Sequence, residues 1–172
     1  MADAVIKKIK RTEFATFLNI GSAAAANYAR MGKGITGQTV SYNPTVNTEQ
    51  YIDENSATNS LDAYAPSINT PQTCYAGEPV FEYVDGLRRA RAIGADAETD
   101  VLLVYIYSQA GTGNTYNAEK CKCTISIEEF GGDAGNPVSI TYTLNLNGDP
   151  EIGTATITDG KVTFASAQAA AQ

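Results

Sequence analysis

Residues 77–107 read GEPVFEYVDGLRRARAIGADAETDVLLVYIY, and they divide near Gly94 into two pieces of different periodicity. In the first piece Val80, Val84, Leu87 and Arg91 fall on one stripe at helical spacing, with Tyr83 and Ala90 beside it and Arg88 and Arg89 turned away. Pro79 suits a first helical turn, where its missing N–H would be unpaired anyway, and Glu78 complements the positive end of the helix dipole. The arginines at 88, 89 and 91 lie in the last two turns, where that dipole favours cations, and Gly94 offers a stop. The spacing predicts a helix over Pro79–Ile93, with Gly86 tolerated in its interior, and its core face is Val80, Val84 and Leu87. The second piece, Val101–Tyr107, is an apolar run far too short to span a membrane and of the right length for a buried strand.

On both sides of this pair the pattern changes to strands. Downstream, Glu119–Phe130 and Val138–Leu146 alternate apolar and polar residues, and Glu151–Thr158 and Lys161–Phe164 follow. Gly/Asn-rich loops separate them at 108–118 and 131–136. Asn147-Gly148 predicts a tight hairpin turn, and Asp159-Gly160 a second one. Upstream, Glu13–Ile20 reads as a strand, Ala23–Met31 as either a helical turn or a strand edge, and Ile35–Val46 as a strand with one wet face. Ser67–Tyr75 is a further strand, which Pro71 marks as an edge or the site of a bulge. One helix among many strands predicts a mainly β fold, a β-sandwich with one flanking α-helix. At 172 residues the chain fits one domain, with an N-terminal arm at 1–12 and an Ala/Gln-rich tail at 165–172.

Between two of these strands lies a segment of another kind. Residues 43–65 are rich in Asn, Thr, Ser, Asp and Glu, and after Val46 the sizeable apolar residues are Tyr51, Ile52, Leu61 and Tyr64. So polar a stretch buries little, and a connection this long in a compact domain usually carries function. It reads as a long loop or an extended hairpin arm. Gln50, Tyr51, Ile52, Asp53, Glu54, Leu61 and Tyr64 are the candidate contact residues on it. The chain's ten tyrosines are compatible with wide subunit contacts.

Composition narrows the chemistry. The chain has no histidine, which removes the usual general base and the commonest metal ligand. A net charge of -7 opposes tight binding to nucleic-acid phosphates. Cys74, Cys121 and Cys123 leave an odd thiol under any pairing, and Cys121 and Cys123 sit two apart in a strand, a spacing that strains a bridge. They read as small buried residues of a reduced protein. No signal peptide or membrane span is evident, so the chain is expected to be made in a cytoplasm and to stay soluble.

Motifs that could carry chemistry fail on context. Gly32–Gly37 matches a dinucleotide-binding pattern, but a strand follows where a helix is required, so these glycines read as turn-formers. Asp96, Glu98 and Asp100 resemble a calcium loop without its glycine or its closing glutamate. Glu128 and Glu129 are neighbours on a strand and so face opposite ways, unlike a paired acid and base. The reading is of no catalytic site, no metal and no cofactor.

Two stretches resemble the major tail proteins, or tail tube proteins, of siphophages that infect Gram-positive hosts. One is Tyr42-Asn-Pro-Thr-Val-Asn-Thr-Glu-Gln-Tyr-Ile-Asp-Glu54, followed by Ala63-Tyr-Ala-Pro66. The other is Gly77–Gly94, leading into Asp96–Asp100 and Val101–Tyr107. The likeness covers the middle third of the chain well. It implies a virion structural protein that forms hexameric rings stacked into a hollow tail tube, through which DNA passes without specific binding. Tape-measure, tail-initiation and terminator proteins would be its partners. The segment 43–65 would be an inter-subunit loop reaching the next ring, and the terminal arms would pack between rings. Tailocins and gene-transfer particles use the same fold. Other readings are a head decoration or tail-completion protein, and a carbohydrate-binding sandwich module. Which residues face the lumen is not legible.

Overall fold

The computed structural model describes residues 6–167. What the sequence suggested for 1–5 and 168–172, the outer parts of the two terminal arms, lies outside the described residues. The protein is mainly β, with one α-helix. Its elements in order are β1 (Phe14–Asn19), β2 (Tyr28–Arg30), β3 (Thr39–Ser41), β4 (Pro44–Glu49), β5 (Thr58–Tyr64), β6 (Ser67–Thr73), α1 (Pro79–Ala90), β7 (Glu98–Gln109), β8 (Thr115–Gly131), β9 (Ser139–Thr158) and β10 (Lys161–Ser166). Short 3-10 turns stand before β1 and before β7. Eight strands join in one antiparallel sheet in the order β2-β1-β7-β8-β9-β6-β3, with β10 also paired to β9, while β4 and β5 pair only with each other.

The apolar run at Val101 is explained by its neighbours. In β7, Val101 and Leu103 face one core, which contains Leu18, Cys121, Cys123, Ile125, Ile140, Tyr142 and Leu144. Leu102 and Val104 face a second core with Ala15, Phe17, Ala118, Ala155 and Val162 on the opposite side. A strand covered on both faces needs no polar alternation, which is why VLLV is continuous. The first core is closed by α1, through Val80 and Val84. The second is closed by the sheet itself, which curls until β10 approaches the far edge strand β2.

The two longest strands depart from the sequence expectation. Asn147-Gly148 is not a hairpin turn: β9 runs unbroken through it for 20 residues. Lys120 pairs with Glu151 and Lys122 with Asn147, so Cys121 alone faces Gly148, Asp149 and Pro150. This is a bulge of two extra residues. Gly148 supplies the positive φ of 67° it needs. Because two is an even number, alternation keeps its phase, and Leu144 and Ala155 still serve opposite faces. The continuous 17-residue β8 is the template that holds both halves of β9 in line. By contrast Asp159-Gly160 is a tight turn, with φ of 50° and 77°, and joins β9 to β10. The loop expected at 108–118 is shorter, because β7 extends to Gln109 and β8 begins at Thr115. Ala165 and Ser166, expected in the tail, belong to β10.

Helix α1 ends at Ala90, three residues before the expected Ile93. Arg91 takes the left-handed conformation, and the N–H groups of Arg91 and Ala92 return to the carbonyls of Arg88 and Leu87. These bonds satisfy the last turn without waiting for Gly94. Leaving the helix there carries Ala97 into the core just before β7 begins, and it leaves Arg91 exposed instead of on the packed stripe. At the other end the Glu78 carboxylate accepts from the Phe81 N–H at 2.6 Å and from Gln72 Nε2 at 3.0 Å. Gln72 Oε1 accepts from the buried Tyr142 hydroxyl at 3.1 Å, so one side chain links the helix start to the middle of the sheet.

The strand expected over Ile35–Val46 is two strands broken at Asn43, whose φ is 44°. β6 is not a plain edge: it lies between β9 and β3. The pairing of β3 stops at Asn69, so Pro71, which has no N–H to give, lies beyond it.

Candidate functional site

The segment 43–65 is a hairpin. Six register pairs join β4 to β5, from Pro44↔Tyr64 to Glu49↔Thr58, with an irregularity between Thr45 and Val46. Every residue of both strands is exposed. The tip is a closed turn: Glu54 N–H donates to the Tyr51 carbonyl at 3.1 Å, and Gln50 Nε2 donates to the Glu54 carbonyl at 3.0 Å. Ile52 stands at its apex, fully open to solvent (110%). Tyr51 donates through its hydroxyl to Glu49 at 3.0 Å, and its side chain is exposed.

The hairpin is stiffened at its root. Asn43 Nδ2 donates to the Ala65 carbonyl at 3.0 Å and to Ser67 Oγ at 3.2 Å. Tyr42 and Tyr64 meet edge to face at 6.2 Å. Of the residues singled out from the sequence, Gln50, Tyr51, Ile52, Asp53 and Glu54 cluster at the tip, Leu61 lies along β5, and Tyr64 is at the root. The arm therefore presents an acidic, apolar-tipped end and a separate aromatic base.

Several surfaces of the body are concave, and three of them bear on the arm and its charge. The groove at the arm's root has a volume of 750 Å³; Tyr42, Tyr64, Leu103, Cys121 and Leu146 line it, with carboxylates at Glu119 and Asp149. A second, of 520 Å³, lies between the end of α1 and β8, with Arg88 and Arg91 beside Leu87, Ile93 and Ile127. A third, of 220 Å³, runs along Gly32–Gln38 with Arg11 and Arg30. Sequence reading missed the second groove. Its arginines were visible, but the early end of the helix that takes Arg91 off the packed stripe was not.

The arginines of the helix end are not equivalent. Arg88 donates to Asp85 at 2.8 Å and its guanidinium lies 3.8 Å over the Phe130 ring. Arg89 holds the other Asp85 oxygen at 2.7 Å. Arg91 has no ion-pair or hydrogen-bond partner for its side chain among the described residues. Burial of Asp85 opposes its charge, but the bonds from Arg88 and Arg89 outweigh that and hold its carboxyl below the usual range.

The remaining residues of interest have structural surroundings. All three cysteines are free. Burial pushes Cys121 up to about 11 and Cys123 to about 12, the reverse of what a nucleophilic thiol needs. In the Gly32–Gly37 stretch, Gly34 has a φ of 80° and passes β6 so closely that a Cβ would meet the Thr73 carbonyl oxygen at 2.3 Å. It forms a packed turn, with no helix behind it. Asp96 lies in a 3-10 turn and Glu98 and Asp100 in the start of β7; among the described residues no three His, Cys, Asp or Glu side chains are placed to hold a metal. Glu128, at the irregularity in the β8–β9 pairing, accepts from Thr143 Oγ1 at 2.5 Å. No helix of the described residues is long and apolar enough to cross a membrane.

No protein-family model matches the chain, and no curated protein matches it significantly. Solved structures do match in fold. A chain from the tail of an empty GTA particle, refined helically with C6 symmetry, has a TM-score of 0.60 at 10% identity, covering 84% of this chain and 98% of that one. The tube-terminating cap of the anti-feeding prophage has a TM-score of 0.51 at 14% identity, covering 97% and 100%. The curled antiparallel sheet with one helix is thus a fold shared with a chain of that particle tail and with that tube-terminating cap.

Proposed function

We propose that this chain is a structural subunit of a tail tube, with no catalytic activity, and that copies of it form hexameric rings stacked into a hollow tube. The observation that carries this reading is the arm. A two-stranded hairpin standing clear of its own body is marginal in water, and it is stabilised when its faces are covered by another surface. The fold likeness to a C6 tail chain supports a ring of six. Repeating one heterologous contact between identical copies generates a filament or tube, without a second kind of subunit. The net charge of -7 suits a channel along which DNA slides without sticking. The siphophage, Gram-positive-host type rests on the two quoted stretches, whereas the structural neighbours come from a GTA particle and an anti-feeding prophage. Tape-measure, initiation and terminator proteins are the partners such a tube requires, and the assembled particle is its place of action.

A second reading is a cap that closes a tube, and the likeness to the prophage cap over 97% of this chain favours it. Electron microscopy of the concentrated protein separates the two. The tube reading expects long hollow tubes from this chain alone. Single rings that never stack would favour the cap, and a monomer at every concentration would overturn both.

A further inference from the structure

The proposed tube requires an acceptor for the arm, and the surface offers one that fits. The arm tip carries Glu49, Asp53 and Glu54 around Tyr51 and Ile52. The groove at the root of the arm has Glu119 and Asp149 as its charged lining, and one of similar volume at the start of β7 has Glu98 and Asp100 against the single Lys122, so both disfavour an acidic tip. The groove along Gly32–Gln38 has less than half the volume of the one at the helix end, and its Arg11 already donates to the Phe14 and Gln38 carbonyls. The groove between α1 and β8 combines cations with apolar walls, the complement of the tip in both respects. Ile93 there is 81% exposed, a large apolar side chain left in water beside Arg91, whose side chain has no partner among the described residues. Ile52 and Ile93 are both open in the single chain, so the arm does not fill its own groove.

From this complementarity we infer that the arm tip of one copy seats in the α1–β8 groove of a second copy. Ile52 packs against Leu87, Ile93 and Ile127, while Asp53 and Glu54 meet Arg91 and the outer face of Arg88. The inference rests on the tail tube reading for its second copy. The donor and acceptor are different surfaces of one molecule, so the contact propagates from copy to copy. Arg91 is the discriminating residue, because Arg88 and Arg89 also serve Asp85 within the helix.

The test is a charge exchange in the full chain, read as the concentration at which the protein sediments as tubes. Glu54→Arg and Arg91→Glu should each raise that concentration at least about tenfold. The two changes combined in one chain should restore most of the loss. Arg91 is exposed, so thermal denaturation should show all variants folded alike. Unchanged assembly of Arg91→Glu overturns the groove as acceptor, while tubes lost on trimming the arm would still uphold the tube reading. Loss with Arg30→Glu and none with Arg91→Glu moves the arm to the smaller groove, and equally overturns the inference. A wild-type chain that never associates defeats the tube reading, and the inference with it.

Discussion

The hairpin arm and strand β7 are built from similar backbone and differ in everything around it. Val101, Leu102, Leu103 and Val104 are buried on both faces, whereas all thirteen residues of β4 and β5 are exposed. The body can spend apolar surface on its own stability. The arm has Val46, Tyr51, Ile52 and Leu61 with nothing of its own to bury them. On the tail tube reading, a molecule divided in this way keeps its folding and its assembly in separate places, and changes in the two regions should therefore have separate consequences.

The largest effect should come from trimming the arm. Val46 and Leu61 are partners across the hairpin, so Asn47–Ser60 can be replaced by a two-residue Asn-Gly turn. Assembly seen by electron microscopy should disappear, while the thermal midpoint of the body stays within a few degrees. In the body, Leu102→Ala should cost about 2–5 kcal/mol, because the side chain is wholly buried in the second core. Chemical denaturation measures it. Tyr142→Phe should cost less, about 1–3 kcal/mol, by leaving Gln72 Oε1 buried without its donor.

A smaller effect depends on pH. The folded carboxyl of Asp85 lies below its ordinary value of 3.8, so its ion pairs stabilise the protein fully above that value and are lost as pH falls through the folded one. The thermal midpoint of the wild type should therefore drop on acidification below about pH 4, and Asp85→Asn should flatten that drop. Smallest of all, Thr48→Ala removes the 2.7 Å bond to Asn59 on the open arm and should change global stability by less than about 0.5 kcal/mol.

Much of this division was legible from residues alone. Glu78-Pro79 marked the helix start, the polar run of 43–65 marked a segment unable to form much of a core, and the apolar run Val101–Tyr107 marked a buried strand, though only Val101–Val104 are buried in it. Local chemistry misled where a longer element overrode it. Asn147-Gly148 has the composition of a hairpin turn, yet the unbroken β8 beside it makes it a bulge. Gly94 looks like a helix stop, yet bonds from Arg91 and Ala92 close the helix earlier. The groove between α1 and β8 was hidden for the same reason, since a helix continued past Ala90 would have kept Arg91 on the packed stripe.

Amide hydrogen exchange across 44–64, compared between dilute protein and assembled tubes, tests the central claim most directly. In the dilute chain these amides should exchange far faster than those of β7, and in tubes they should slow by at least about tenfold while β7 stays as it was. Arm amides already as slow as β7 in the dilute chain, or no slower in tubes, would contradict an arm held by a neighbouring copy.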